Sequence, residues 1–287
     1  MIRRSVIPTR CRNVIVSHSY LICATLTTET YPPTFDPNQH PNYDTLGLVH
    51  PSTMPTGDPA VLTNSLFDAS LLAATGGLLD ALVYLNHGHV FATAMTGNLI
   101  FLGIAAISRN WNEIIPHMVP VIAFVFGVLT SKHLRTRLGI RSLIVSLVLE
   151  IMTVFALGWV PRTFPDMVFT GIIAYVGAIQ VASFRRVDRF AFNSTFITGN
   201  LRDVAEGLYE ALSPTSSPEA REKGRTQARD LGLISLCFLA GAIFGALAAP
   251  RLANHCLWIA EPFLIAVAIH CLRHFTPPVS QPSTDPR

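Results

Sequence analysis

Three side chains that can exchange protons or hold a cation follow one another in the first apolar segment of the chain. Asp80, Tyr84 and His87 are spaced so that a helix would place them on one face, together with Gly76. A carboxylate, a phenol and an imidazole in such a line could relay a proton or bind a cation. The sequence is equally compatible with a structural role, in which Asp80 is a hydrogen-bonding clamp that reaches the backbone of a T-G-N segment.

A short polar tetrapeptide occurs twice, about a hundred residues apart. "MTGN" occupies residues 95–98 and "ITGN" residues 197–200, and leucine follows each copy. Thr and Asn are favoured N-cap residues and Gly permits a turn, so each copy predicts the start of a helix. Unsatisfied N–H groups at such a start suit an anion or a carbonyl group. A buried turn closed by neighbouring helices is the structural alternative.

The two copies differ in the residues on their C-terminal side. Asn200 has an acidic residue, Asp203, three positions later, which resembles a capping box, whereas Asn98 has none. Both copies are candidate ligand contacts through Thr96, Gly97, Asn98, Thr198, Gly199 and Asn200.

Other polar residues also lie inside apolar segments, where an ionisable group is costly and suggests a function. Gln180 is the neutral counterpart of Asp80 in the second half, and Glu150, Glu261 and His87 are secondary candidates. The chain contains no Walker A, Rossmann, H-E-x-x-H or G-x-S-x-G motif. We therefore predict a protein that is not an enzyme, with no catalytic residue, metal site or cofactor.

The composition indicates the elements that must hold these residues. Half of the 287 residues are hydrophobic, 14% are charged and the mean hydropathy is +0.41, whereas soluble domains carry about 25% charged residues. Six apolar runs have roughly the 18–21 residues that cross a bilayer. We predict an all-α polytopic membrane protein whose partner is the lipid bilayer; a net charge of +3 does not suggest nucleic acid. The predicted spans are residues 65–85, 114–131, 142–160, 167–184, 231–249 and 255–272.

The segments outside the spans are polar. We predict a disordered N-terminal tail over 1–60, a membrane domain over 61–275, a C-terminal tail over 276–287 and a solvated linker over 213–230. The arginine-rich first thirty residues fit either a targeting segment or a cytoplasmic tail. With both termini cytoplasmic, eighteen of the 21 Lys and Arg residues lie inside. That distribution predicts this orientation.

The two halves of the membrane domain share an ordered set of features. "GLLDA" (77–81) matches "GAIQV" (177–181), each is followed by a T-G-N and by a span with paired small residues, and each half closes with one glutamate. Because three spans are an odd number, the second copy would be inverted, as in many secondary transporters. We predict a 3+3 inverted repeat over 65–160 and 167–273, with a broken or re-entrant T-G-N helix in each half.

These motifs also carry a family resemblance. "GGLLDALVYLNHGHVFATAMTGNLIFLG" (76–103) resembles the G-x-x-D-A … M-T-G-N signature of the YoaK-like membrane proteins. "GAIQVASFRRVDRFAFNSTFITGN" (177–200) is similar to the second signature of that family, but Val181 stands where the family tends to have Asn. The resemblance covers about residues 60–275. It implies a six-span integral membrane protein and supplies no substrate.

We expect a transporter of a small solute or ion, with proton coupling as one form of it. Asp80 would be the coupling carboxylate, and the two T-G-N backbones would contact the ligand. The alternative is a membrane-embedded accessory or assembly protein that transports nothing. Gly241 and Gly245 would permit close helix packing, so a homodimer is compatible with the sequence.

Overall fold

The computed structural model describes residues 65–184, 186–187, 190–191, 194–195 and 197–273. The predictions for the N-terminal and C-terminal tails lie outside this part of the chain.

Almost all of the described chain is helical, which confirms the predicted class. Two strands of two residues each, β1 (Arg186–Val187) and β2 (Phe190–Ala191), form a short antiparallel pair. The helices are α1 (Leu66–Asn86), α2 (Met95–Ile107), α3 (Trp111–Leu138), α4 (Arg141–Gly158), α5 (Asp166–Ser183), α6 (Ile197–Leu212), α7 (Pro218–Leu252) and α8 (Glu261–Arg273), with a 3-10 segment (Ala253–Ile259) between the last two.

Five helical stretches of the described chain are long and apolar enough to cross a membrane. Four of them are α1, α3, α4 and α5, and the fifth is Pro218–Arg273, which contains α7, the 3-10 segment and α8. Large apolar side chains such as Phe126, Leu129 and Phe244 are exposed along α3 and α7. A lipid-facing surface explains this exposure, because hydrocarbon does not penalise it as water does.

The predicted linker over 213–230 is wrong for most of its length, because α7 begins at Pro218. The Ser217 hydroxyl accepts a hydrogen bond from the backbone N–H of Ala220 at 3.2 Å, and Pro218 occupies the first turn. Both features favour a helix start. The mixed charge of this segment is typical of a solvent-exposed stretch. Its residues also favour helix, so the polar segment continues the apolar part of α7 instead of forming a loop.

Glycines bring α1 and α7 into backbone contact. A Cβ on Gly245 would lie 2.7 Å from the carbonyl oxygen of Leu78, and one on Gly241 would meet the backbone of Ala74. Gly77 of α1 faces the backbone of Phe238 in the same way. The small residues that made a homodimer compatible with the sequence are therefore occupied within the chain.

A second pair of helices, α3 and α5, is joined by the same device. Gly127 of α3 faces the backbone carbonyl of Tyr175, and a Cβ there would lie 2.7 Å from Cβ of Ala178. α1 with α7 and α3 with α5 are the two most extensive contacts between transmembrane helices.

Polar contacts assign the helix ends to two groups. At the first, which we call the His87 end, Asn86 Nδ2 donates to the carbonyl of Ala249 at 3.0 Å and His87 meets Asp166. These contacts join the end of α1, the start of α5 and the end of α7. At the second, the Ser183 end, the end of α5 meets Ser131 of α3.

We expect Gly241→Val to lower the free energy of unfolding by about 3 kcal/mol or more, because the added methyl groups meet backbone that cannot shift without separating α1 from α7. Thermal unfolding of the purified protein in detergent measures the change. Gly103→Val is the matched control, since nothing lies within 4 Å of a Cβ at that position. Equal melting temperatures for the two variants would contradict the close packing.

Candidate functional site

The first T-G-N copy forms the first turn of α2 rather than the cap in front of it. α2 begins at Met95, and the N-cap position is Ala94, so Asn98 is not the predicted N-cap. The Asn98 side chain instead accepts a hydrogen bond from Phe91 N–H at 2.9 Å and donates one to the Phe91 carbonyl at 2.7 Å. Asn98 is fully buried. Its amide therefore satisfies the backbone of the segment that precedes the helix.

The second copy also lies within a helix. α6 begins at Ile197, so Asn200 lies in its first turn and the predicted capping box is wrong. Asp203 is instead bonded to its neighbour Arg202 at 2.6 Å. Asn200 is buried. Thr96, Thr198 and Gly199 are exposed, and Gly97 lies against the ring of Phe91.

Asp80 is a clamp on the same segment. Its Oδ1 accepts from the backbone N–H of Thr93 at 2.7 Å and its Oδ2 from the Thr93 hydroxyl at 2.7 Å. Thr93 also reaches the second half, because a Cβ on Gly177 would lie 2.9 Å from its methyl group. These contacts favour the structural alternative for Asp80 that the sequence left open.

The predicted line of Asp80, Tyr84 and His87 is not a connected relay. Tyr84 stacks on Phe91, with ring centroids 4.9 Å apart. Both oxygens of Asp80 are bonded to Thr93, and both ring nitrogens of His87 face groups on other helices. The three side chains share a face, but each has a different partner.

His87 is the centre of a polar cluster that the sequence indicated only in part. Its Nδ1 lies 2.7 Å from Asp166 Oδ1 and its Nε2 lies 2.8 Å from Asn254 Oδ1, while its ring stacks on Phe169. Asn254 donates in turn to the carbonyl of Val160 at 3.0 Å. The sequence does not indicate Asp166 or Asn254, because neither the first residue of a helix nor a residue of a short 3-10 segment has a spacing signal.

A cleft of about 340 Å³ opens beside this cluster. His87, Asp166 and Thr170 line it together with apolar residues that include Trp111 and Met167. The buried Thr170 hydroxyl has no hydrogen-bond partner in the described part of the chain.

Three further candidates come together in the interior, and we call them the Glu150 cluster: Glu150 of α4, Gln180 of α5 and Glu261 of α8. The amide of Gln180 and the carboxyl group of Glu261 both interact with the Glu150 carboxyl group. Glu150 is 0% exposed, Gln180 2% and Glu261 8%. Among the described residues, no partner lies within hydrogen-bonding geometry of either Glu150 oxygen, of Gln180 Nε2 or of Glu261 Oε1.

A row of serines that we did not single out from the sequence leads from this cluster to the Ser183 end. Ser183 Oγ lies 3.0 Å from Ser131 Oγ and 3.1 Å from Ser146 Oγ, so α3, α4 and α5 are joined by hydroxyl groups. We call these three residues the serine row. A small cavity lined by Ser131, Ser142, Ser183 and Arg135 adjoins it. Serines that bond across helices are common in membrane bundles, which is why the sequence alone gave no signal.

The fold defines a multi-pass helical integral membrane protein, with polar clusters inside an apolar bundle. Residues 69–270 match the family described as "Protein of unknown function (DUF1275)", and the chain belongs to that family. It is similar to the UPF0700 transmembrane protein YoaK of Bacillus subtilis (strain 168), with 28% identity over 200 residues that cover 66% of this chain and 86% of the relative. These matches confirm the resemblance to the YoaK-like proteins. No solved structure matches the chain.

We expect Asn98→Ala to lower the free energy of unfolding by about 2–3 kcal/mol, because it leaves the partly buried N–H and carbonyl of Phe91 without the side-chain amide that bonds both. Asn112→Ala, an exposed asparagine at the start of α3, is the control and should change little. Chemical unfolding in detergent followed by tryptophan fluorescence gives both values. If the two alanine variants were equally stable, Asn98 would not hold this segment.

Proposed function

We propose that the chain is a transporter of a small solute or ion, and that its site lies at the Glu150 cluster. The observation that carries the proposal is a fully buried carboxyl group, Glu150, without a hydrogen-bond partner in the described chain. Ionisable groups inside a bundle are costly, and they mark ion and substrate paths when a function retains them.

The proposal includes six crossings. The end of α7 lies at the His87 end, because Ala249 accepts from Asn86. The end of α8 lies at the opposite end, since His270 Nδ1 is 2.9 Å from Asp68 Oδ2 in the first turn of α1. The stretch Pro218–Arg273 would therefore cross twice, through α7 and α8. Together with α1, α3, α4 and α5 this gives six.

The pattern of helix contacts supports an inverted 3+3 repeat. If α1 is exchanged with α5, α2 with α6, α3 with α7 and α4 with α8, the main contacts exchange as well. The contact of α1 with α7 becomes that of α5 with α3, α2 with α3 becomes α6 with α7, and α4 with α5 becomes α8 with α1. Gly127 and Gly241 occupy corresponding places in this exchange, and both face a backbone carbonyl. Inverted repeats of this kind are typical of secondary transporters.

The Glu150 cluster has the position that such a repeat gives to a transport site. Exchanging the halves turns α4 into α8 and α8 into α4, so the contact between these two helices is unchanged. This contact therefore lies where the two halves meet. Glu150 and Glu261 come from these two helices. Transporter sites lie at this interface between repeats, near the middle of the bilayer.

Openings at both ends are consistent with a path to this site. The cleft beside His87 and Asp166 lies at one end, and the cavity beside the serine row lies at the other. In this proposal Asp80 and Asn98 support the site by holding the segment before α2. The ligand contacts predicted for the other T-G-N residues, Thr96, Gly97, Thr198, Gly199 and Asn200, are a separate prediction and not part of this site, because α2 and α6 pack mainly on α3 and α7.

The proposed orientation places the Ser183 end and both termini in the cytoplasm. Lys132, Arg135 and Arg137 lie in the last two turns of α3 and Arg141 is the first residue of α4, so all four lie near that end. Basic residues in short loops favour the cytoplasmic side.

A non-transporting accessory protein is the second candidate. The observation that favours it is the closure of the first T-G-N segment by Asp80 and Asn98. Their side chains are hydrogen-bonded to Thr93 and to the Phe91 backbone of that segment. A purely structural device would show the same closure. A membrane protein that only supports an assembly would move no solute.

We expect Glu150→Gln to abolish transport, because the amide cannot change its charge with the transport cycle. Cells with and without the protein are first compared for all solutes that differ in level, and the solute found is then followed into proteoliposomes. Flux through Glu150→Gln should fall to that of empty liposomes, whereas the exposed Glu113→Gln should leave it unchanged. Wild-type flux no greater than that of empty liposomes would instead favour the accessory protein.

We expect single cysteines at Arg109 and Arg251 to react from outside with a membrane-impermeant maleimide, and those at Arg137 and Arg273 to react only after permeabilisation. All four positions are exposed, and the pair Arg251 and Arg273 flanks the second crossing of Pro218–Arg273. The wild-type chain controls for its own cysteines. Labelling of Arg251→Cys and Arg273→Cys from the same side would rule out six crossings.

A further inference from the structure

The Glu150 cluster holds two carboxyl groups in the interior of the bundle, and neither forms a salt bridge within the described part of the chain. Glu261 is the titratable side chain that acts on Glu150, although α4 also packs against α3, α5 and the 3-10 segment; α5 contributes the neutral Gln180. Both Glu150 oxygens and Glu261 Oε1 are buried without a hydrogen-bond partner among the described residues, and two buried carboxylates at this range repel each other. A proton or another cation bound in the cluster would remove this repulsion.

The groups around Glu150 suit a proton better than a metal ion. A hard metal cation such as Ca²⁺ or Mg²⁺ requires several oxygen ligands arranged around it. The described residues contain no group of three or more His, Cys, Asp and Glu side chains that could hold one. Gln180 provides a buried Nε2–H group without a partner, which can donate to the carbonyl oxygen of a protonated carboxyl group.

The serine row provides a route for that proton. Ser146 lies one helical turn before Glu150 on α4, and Ser183 lies three residues after Gln180 on α5, so these pairs share a helix face. A hydroxyl group accepts one proton and donates its own, so the contacts of 3.0 and 3.1 Å among Ser131, Ser183 and Ser146 can pass a proton along. The Ser146 hydroxyl donates to the Ser142 carbonyl at 2.8 Å and must rotate away from it for the last transfer. Because neither Glu150 oxygen is hydrogen-bonded to Ser146, the last step of the route requires a water bridge.

The row reaches the surface at the Ser183 end. The cavity beside it, lined by Ser131, Ser142 and Arg135, has a volume of about 20 Å³. That is room for roughly one water molecule and too little for a hydrated metal ion. Water from the aqueous phase can therefore meet the first hydroxyl group of the row.

We infer that Glu150, Gln180 and Glu261 form a proton-binding site that exchanges its proton with the aqueous phase at the Ser183 end through Ser146, Ser183 and Ser131. The proton is taken from water and converts the Glu150 carboxylate to the neutral acid. This inference rests on the proposed function for its part in transport, where the proton is the coupling ion. Proton binding itself can be measured without any substrate.

Infrared difference spectra of the purified full-length protein in lipid test the site. At neutral pH we expect the carbonyl band of a protonated carboxyl group, which shifts in D2O and is lost in Glu150→Gln. The band should persist in the exposed variant Glu113→Gln and should not diminish when sodium or potassium is added. Glu261→Gln removes the repelling carboxyl group, so its Glu150 band should be lost at a lower pH than the wild-type band, and it provides a second variant if Glu150→Gln fails to fold.

The route is tested by the rate at which this band shifts after transfer to D2O. Ser183→Ala should slow the shift several-fold, Ser183→Thr should restore it because the hydroxyl group returns, and the exposed Ser108→Ala should have no effect. Slowing by Ser183→Ala without rescue by Ser183→Thr would overturn the route.

The outcomes separate this inference from the proposed function. If the protein shows this band but moves no solute, the inferred proton site is supported and the proposed transport function is rejected. The absence of the band from the wild-type protein, or its loss on adding sodium, would overturn the proton site even if transport is found.

Discussion

The constraint on which the rest of the structure depends is the hydrogen bonding of non-helical backbone inside an apolar bundle. Hydrocarbon offers no partners, so irregular chain at this depth is stable only when protein groups satisfy it. The segment between α1 and α2 meets this requirement through Asp80 and Asn98, whose side chains bond to Thr93 and to both backbone groups of Phe91. Because this segment is fixed, α2 can be a short helix that begins beside the bundle rather than a full crossing.

Glycine contacts then determine how the two halves fit together. α1 of the first half packs on α7 of the second, and α5 of the second half packs on α3 of the first, each at backbone distance around Gly241 or Gly127. Such contacts allow little sliding, since a packed interface is not continuously deformable. α4 and α8 have less extensive contacts with the other helices. In our proposal, a movement of one half relative to the other would therefore change the α4–α8 interface, which carries Glu150 and Glu261, before it changes the glycine contacts.

Hydropathy and helix spacing predict most of the fold but only part of the site. The apolar runs predict α1, α4 and α5 to within two residues, because length and composition alone decide whether a segment can span. The predicted span 114–131 ends seven residues before α3 does, and 255–272 contains most of the 3-10 segment as well as α8. The apolar runs miss the start of α7 at Pro218, since polar helix and polar loop have the same hydropathy. Spacing correctly groups Asp80, Tyr84 and His87 on one face. It cannot reveal Asp166 and Asn254 beside His87, because contacts over 79 and 167 residues are set by packing.

Hydrogen bonding separates the buried polar residues into two groups, those that hold the backbone in place and the one that we propose to act in transport. Asp80 and Asn98 are as deeply buried as Glu150, yet each has two short hydrogen bonds, whereas both Glu150 oxygens have none among the described residues. A chain that can place Thr93 against Asp80 could equally place a hydroxyl group against Glu150. Ser146, one turn away, instead bonds to Ser142 and Ser183. A buried carboxyl group without a permanent partner is costly to the fold, and in our proposal this cost keeps Glu150 available to bind and release a proton.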